Sequence, residues 1–224
     1  MTDRPEKMKS FFDDRVETYD EHMETNIEKF AAFYGQIAAP FPETDEPVEV
    51  LDLGAGTGIE LEFIFAKAPN ARVTAVDLSK AMLDKMLKKY EAYASQIRTI
   101  TDSYLTLELK EHFFDFVVSV MSLHHLLPGK KISLYKKLRQ SLVPSGAFVE
   151  GDWVVSVEEE NKLLREYRER MKGYPLSDDG KYHVDVPFSE ETQLRALREA
   201  GFARIDVIFR TYRSNVVVAR PCFP

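Results

Sequence analysis

Gly54, Gly56 and Gly58 stand at alternate positions directly after a short apolar run, VEVLDL, at residues 48–53. Val48, Val50, Leu51 and Leu53 read as a buried parallel strand, and Ile59, Phe63 and Ala66 begin a helical pattern after the glycines. The unit is strand, glycine turn, helix. Such a turn lets backbone approach a ligand at the strand's carboxyl end, and the helix start adds free N–H groups and a positive dipole end. The GxGxG spacing departs from the GxGxxG of dinucleotide-binding turns. Asp52 lies two residues before the first glycine, where a carboxylate suits a cationic group better than a pyrophosphate. Asp77 ends the next apolar run about 20 residues beyond the turn, the spacing at which a carboxylate can hold ribose hydroxyls. Its alternative is to cap the following helix, a task open equally to Ser79.

His124 and His125 are the only adjacent histidines. One is a candidate general base near neutral pH; the structural alternative is that one packs while the other bonds backbone. No H-x-E or CxxC pattern accompanies them, so no metal is expected. Asp152 and Trp153 end a later strand, on the side where α/β folds bind ligands; Trp153 either walls a pocket or fills core.

These groups need elements to hold them. Met8, Phe12, Val16, Tyr19 and Met23 mark an amphipathic helix over 5–23, and Ile27, Phe30, Tyr34 and Ile37 mark a second over 26–39. Residues 41–47 read as a linker. Strands follow at 72–77, 97–101 and 114–120, with a fifth entered through a turn at Pro144 and Gly146. Ser156 and Glu159 form a capping box for a helix to Lys172, whose charges read as a solvated face. Residues 173–187 are a long loop, a feature usually functional or mobile. A helix from Ser189, a strand at 205–209, a turn at 211–215 and a strand at 216–219 close the chain.

The length of 224 residues fits one α/β domain with additions, and 15 Phe with 44% apolar residues supply a core. A net charge of −7 without a Lys/Arg-rich block disfavours broad nucleic-acid binding. The single cysteine, Cys222, fits a reducing cytoplasm, and no stretch approaches a membrane span or a secretory leader.

DLGAGTG, at 52–58, resembles the nucleotide-binding motif of class I S-adenosylmethionine-dependent methyltransferases. FFDDRVETYD resembles the segment that precedes the core in many small members and closes over the cofactor. DFVVSVMSLHHLLP resembles their segment after the fourth strand, and the closing helix–strand–turn–strand resembles their terminus. The resemblance covers about residues 48–150 and the C-terminal pattern. It implies an α/β, Rossmann-like, doubly wound and mostly parallel seven-stranded sheet with an antiparallel last strand and an N-terminal helical lid. The chain is then a single domain, with a cap over 1–45 and a substrate-side insertion over 153–188.

The implied cofactor is S-adenosyl-L-methionine. Its positions fall on Tyr19, Asp52, Gly54, Ala55, Gly56, Gly58, Asp77, Leu78, Met82, Asp102, Ser103, Tyr104 and Val120. Met82 would pack on the adenine. Asp102 would accept its amino group, unless it is a solvated turn residue. His124 is the catalytic candidate, and His125, Asp152, Trp153, Tyr174 and His183 are the substrate-side candidates. The implied reaction is in-line methyl transfer to a small-molecule acceptor, with a base needed only if the nucleophile carries a proton. From GDW to REAGF the chain also loosely resembles carboxy-S-adenosylmethionine synthases, in which case Arg210 and Arg213 would hold an added carboxylate. A non-catalytic cofactor-binding protein is the third reading.

Overall fold

The computed structural model describes residues 6–172 and 182–221. Seven strands make one sheet: β1 (Glu49–Leu53), β2 (Arg72–Asp77), β3 (Ile97–Thr101), β4 (Phe114–Val120), β5 (Leu142–Trp153), β6 (Phe202–Arg210) and β7 (Ser214–Pro221). Their order is β3-β2-β1-β4-β5-β7-β6. The first five pair in parallel, and β7 runs antiparallel to both β5 and β6. The order reverses between β1 and β4, which opens a ligand crevice at the carboxyl ends of those strands.

Side chains of a strand alternate between faces, and β1 shows why both faces are covered. Val50 joins one apolar cluster with α3 (Phe30–Ala38), α4 (Ile59–Lys67) and α5 (Lys80–Lys89). Leu51 and Leu53 join the other, with α6 (Pro128–Ser141) and α8 (Glu190–Glu199). α3 lies hard against β5: a Cβ on Gly151 would meet Ile37 Cδ1 at 2.4 Å and Phe33 Cζ at 2.9 Å. Only glycine there lets the base of the N-terminal segment dock on the sheet.

The N-terminal segment differs from the single helix read over 5–23. It breaks into α1 (Met8–Asp13) and α2 (Tyr19–Asn26). The break follows from tethers that pull each piece towards the sheet. Ser79 Oγ donates to Asp13 at 2.6 Å, Lys85 Nζ donates to the Val16 carbonyl at 2.7 Å, and Lys89 pairs with Asp20 at 2.7 Å. Thr57 also donates to Asp20. α7 (Val157–Arg170) is capped by Ser156, whose Oγ accepts from Glu159 N at 3.1 Å. Its charges are not all solvated: Glu160 is buried and accepts from both the N–H and the hydroxyl of Ser189, the cap of α8. Among the described residues no helix is long and apolar enough to cross a membrane.

Candidate active site

The glycine turn holds backbone that other residues rarely adopt, with φ of +68° at Gly54, +52° at Gly56 and +67° at Gly58. A Cβ on Gly54 would fall 2.0 Å from Ser122 Oγ, so the turn and the segment after β4 touch through bare backbone. Gly58 has a different duty. A Cβ there would strike Met86 Sδ at 2.8 Å, and its carbonyl accepts from Tyr90 Oη at 2.7 Å. The third glycine therefore packs α4 on α5 rather than facing a ligand.

Gly54 and Gly56 line an inner cleft together with Asp77 and Leu78 from the end of β2, Met82 from the first turn of α5, and Ser103 and Tyr104 after β3. Met8, Phe12 and Tyr19 close it from the N-terminal helices. Asp77 accepts from Gly56 N at 2.9 Å and Ser79 N at 2.7 Å, while Ser79 Oγ caps α5 at Met82 N. Ser79 therefore takes the capping task, and Asp77 stands in the cleft wall. Burial pushes the Asp77 carboxyl up against the opposing hydrogen bonds from Ser79 and Gly56.

Phe12, Tyr19, Met121 and His125 line this cleft and also a second, outer cavity of about 750 Å³. Met121 makes the corner. Its φ of +48° is rare outside glycine, and its N–H donates to the Gly151 carbonyl at 2.8 Å. That twist turns the chain out of β4 into the histidine pair. His124, Trp153, His183 and Asp185 face the outer cavity too. The 183–186 segment is pinned there by Val186 N donating to the His124 carbonyl at 2.8 Å, and by His183 N donating to the Glu6 carbonyl at 2.9 Å.

Behind the cavity lies a chain of buried charges. His124 Nδ1–H donates to Asp152 at 2.6 Å; Lys131 Nζ lies 3.6 Å from Asp152 and 3.0 Å from Glu150; Tyr135 Oη donates to Glu150 at 2.6 Å. Burial works against charge on His124, but the Asp152 carboxylate outweighs it and raises the imidazole above its ordinary value. Burial, then the His124 charge, depresses His125 to about 4. Burial would raise Asp185, but the histidines around it bring it down to about 2.

Residues 50–146 match the model of a methyltransferase domain. The carboxy-S-adenosyl-L-methionine synthase of Wolinella succinogenes is 28% identical over 93% of this chain and 92% of its own length. The synthase of the same name from Helicobacter hepaticus is 26% identical over 76% and 75%. Among solved structures, an O-methyltransferase candidate from Nostoc punctiforme superposes with a TM-score of 0.71 at 18% identity, covering 97% of this chain and 62% of that one. The DhpI complex with S-adenosylhomocysteine gives 0.66 at 17%, covering 95% and 94%. Residues 50–146 carry a methyltransferase domain, and the chain has the Rossmann-like fold of S-adenosylmethionine-dependent methyltransferases.

The methyltransferase cleft suits the cofactor by its donor set. It offers bare backbone at Gly54 and Gly56, the Asp77 carboxylate, and the apolar surfaces of Met82, Leu105 and Tyr104. The remaining sequence candidates are placed differently. Asp52 is 1% exposed beneath the turn, beside Glu60. Ala55, Gly58 and Val120 are buried behind the wall and do not line the cleft. Asp102 is exposed and accepts from Ser103 N at 2.7 Å, closing its own turn. Asp152 sits behind His124 rather than in the cavity. Arg210 forms a two-point pair with Glu190 at 2.8 and 3.0 Å and does not line the outer cavity, whereas Arg213 does. Tyr174 lies outside the described residues.

Sequence reasoning missed Lys131, Glu150, Glu60 and Phe12 as parts of the site. Lys131 sits in PGKKISLY, a pattern that reads as a solvated helix start, and nothing local marks it as buried. Asp185 carried a faint signal: it lies two residues from His183, and the two side chains come within 3.8 Å of each other.

Proposed function

We propose that this methyltransferase passes the methyl group of S-adenosylmethionine to a small acceptor seated in the outer cavity. The observation that carries the reading is the shared wall: Phe12, Tyr19, Met121 and His125 belong to both spaces, so the two bound partners would meet there. Bound S-adenosylmethionine supplies a methyl on a sulfonium, already a good leaving group. The chain's task is then to orient an acceptor and exclude water. α1 and α2 roof both spaces, which supports the cap over 1–45. His183 and Asp185 wall the outer one, which supports a substrate-side role for 153–188. With Nδ1–H given to Asp152, His124 keeps Nε2 as the acceptor atom. It is placed to take the proton of a hydroxyl or thiol nucleophile, and Asp152 holds its ring. A cytoplasmic setting fits the single cysteine, Cys222.

The test is transfer of labelled methyl from S-adenosylmethionine into a small-molecule extract. Label should appear in a small product, and His124→Gln should slow its formation roughly 10²–10⁴-fold. No transfer with any fraction overturns the reading. A second reading has its own support: the relatives named as carboxy-S-adenosyl-L-methionine synthases align over most of the chain, and Arg15 and Arg213 give the outer cavity cationic side chains. Mass spectrometry of the ligand carried through purification separates the two, since a carboxylated cofactor is heavier than S-adenosylmethionine or S-adenosylhomocysteine.

A further inference from the structure

Three potential ligand atoms converge at the edge of the outer cavity. His125 Nδ1 lies 3.0 Å from Asp185 Oδ1, a contact that is an ion pair only when the imidazole is protonated, and both atoms are buried without a hydrogen-bond partner of ordinary geometry. His124 Nε2 lies 3.8 Å from the same oxygen. One ligand atom from each of His124, His125 and Asp185 falls within a span of 4.8 Å. A buried imidazole nitrogen and a carboxylate oxygen at contact distance, neither bonded, would each cost free energy if left so. A cation between them removes both costs.

We propose that His124, His125 and Asp185 form a site for a divalent transition-metal ion at the acceptor end of the cavity. Bonds of about 2.0–2.1 Å to a tetrahedral ion put ligand atoms roughly 3.3 Å apart. The observed 3.0 and 3.8 Å to Asp185 bracket that spacing, and the wider separation within the 4.8 Å span has to close by up to about 1.5 Å as the imidazoles turn to the ion. Two imidazoles with one carboxylate favour zinc, cobalt or iron over calcium and magnesium, which prefer all-oxygen sets.

The groups behind the ligands match. A metal-bound histidine commonly gives its other ring N–H to a carboxylate, which fixes the tautomer and turns the free nitrogen to the ion. His124 does this with Asp152 at 2.6 Å, and Lys131 steadies Asp152 from behind. The backbone tie from Val186 N to the His124 carbonyl holds the third ligand's segment in register. Three protein ligands leave open positions on the cavity side. His183 Nε2, 3.8 Å from Asp185 Oδ1, stands beside them. The sequence lacks a local ligand motif because Asp185 comes from a segment far along the chain from the histidine pair.

This inference rests on the acceptor reading only for the ion's use, not for its binding. In the ion-free enzyme His124 Nε2 is the base described above; with the ion bound that atom is a ligand instead, and an acceptor oxygen or sulfur bound to the ion would release its proton to water. The class of acceptor this selects is one that offers a ligating oxygen or sulfur.

The experiment is titration of the tag-free, metal-stripped full chain with Co²⁺, followed by visible absorption, and with Zn²⁺ by calorimetry. The expected result is one ion per chain, with the d–d bands of imidazole-bound cobalt. His125→Ala and Asp185→Ala should abolish saturable binding, and Asp152→Asn should weaken it about 10- to 100-fold. His22→Ala, in the same cavity but outside the cluster, should leave it unchanged. S-adenosylhomocysteine binding, measured on each variant, reports whether the fold survives. It also separates the two proposals: retained cofactor binding without an ion overturns the metal site alone, while an ion bound without methyl transfer overturns the acceptor reading alone. Absence of binding, or binding indifferent to His125→Ala and Asp185→Ala in folded protein, sinks the metal site.

Discussion

The inner cleft presents bare main chain at Gly54 and Gly56 among its side chains, whereas among the described residues no glycine lines the outer cavity. The inner one depends on three positive-φ glycines within five residues and leaves about 50 Å³ of free space under the N-terminal helices. The outer one leaves about 750 Å³, and its polar groups come from residues 15–28, from the segments at the ends of β4 and β5, from the 183–185 stretch and from residues 211–214, with Lys131 of α6 behind them. A backbone cradle suits a ligand that never changes, because no side-chain substitution can retune it without breaking the turn. A cavity of side chains on one rigid wall suits a partner that differs between enzymes. Under the proposed function, the same fold would hold a fixed cofactor half and an adjustable acceptor half.

If the outer half is held by buried charge, removing its one buried lysine should give the largest effect. Glu150 and Asp152 are 0% and 1% exposed, and Lys131 is the lysine that faces both. Lys131→Ala leaves carboxylates uncompensated and should lower stability by about 3–5 kcal/mol, read from urea unfolding. A loss under about 1 kcal/mol would mean that hydrogen bonds from Tyr135 and His124 suffice, and the contrast between the halves would weaken.

Gly54→Ala attacks the other half. The positive φ costs a non-glycine residue roughly 1–2 kcal/mol, and displacing Ser122 adds about 1–3 kcal/mol. Affinity for S-adenosylhomocysteine should fall by a comparable amount, since the turn must open to relieve the clash. Unchanged affinity would show that the cradle is softer than its backbone implies.

The contrast also explains what could be read from the sequence. The strands at 72–77, 97–101 and 114–120 fall where the apolar runs place them, because a buried strand is a local pattern. The glycine turn is legible for the same reason: its demand on φ is met by residues adjacent in the chain. The N-terminal break between α1 and α2 was not, since periodicity runs through it and the tethers to Ser79, Lys85 and Lys89 lie far along the chain. The outer site was legible only in parts. His124, His125, Asp152, Trp153 and His183 carry chemistry that draws attention alone. Lys131 and Glu150 draw it only once the fold has buried them, and the alliance of Asp185 with the histidine pair exists only in three dimensions.

A third, intermediate effect tests what lies under the cradle. Burial and the neighbouring Glu60 raise the Asp52 carboxyl well above the usual range, and burial raises Glu60 as well. Unfolded carboxyls titrate near pH 4. Between that value and the raised folded values the native state holds more protons than the unfolded chain. Stability from this pair is therefore fully present below pH 4 or so and is lost as pH rises through the folded values. Measured without cofactor, Asp52→Asn should flatten that decline, most visibly at neutral and alkaline pH. A mutant that keeps the wild-type slope would place the pH dependence elsewhere.

The smallest expected effect is at Asp102, and it bears on how far the family pattern reaches into this chain. The resemblance implies a carboxylate that accepts the adenine amino group. Here the Asp102 side chain is exposed and accepts from Ser103 N, while Ser103, Tyr104 and Leu105 form the cleft wall. Loss of a hydrogen bond to a charged acceptor in the cleft would cost about 1.5–3 kcal/mol of cofactor affinity. A surface turn contact is worth a fraction of that, and the cofactor would feel it only through a slight loosening of Tyr104. Asp102→Ala should therefore weaken S-adenosylhomocysteine binding by less than about threefold, or under 0.7 kcal/mol at 25 °C. Asp77→Ala, measured alongside, should lose roughly 1–3 kcal/mol. A tenfold or greater loss at Asp102 would mean that its carboxylate leaves Ser103 and swings into the cleft when the cofactor binds. The inner half would then be less fixed than its backbone makes it, and the distinction between the two halves would be one of degree.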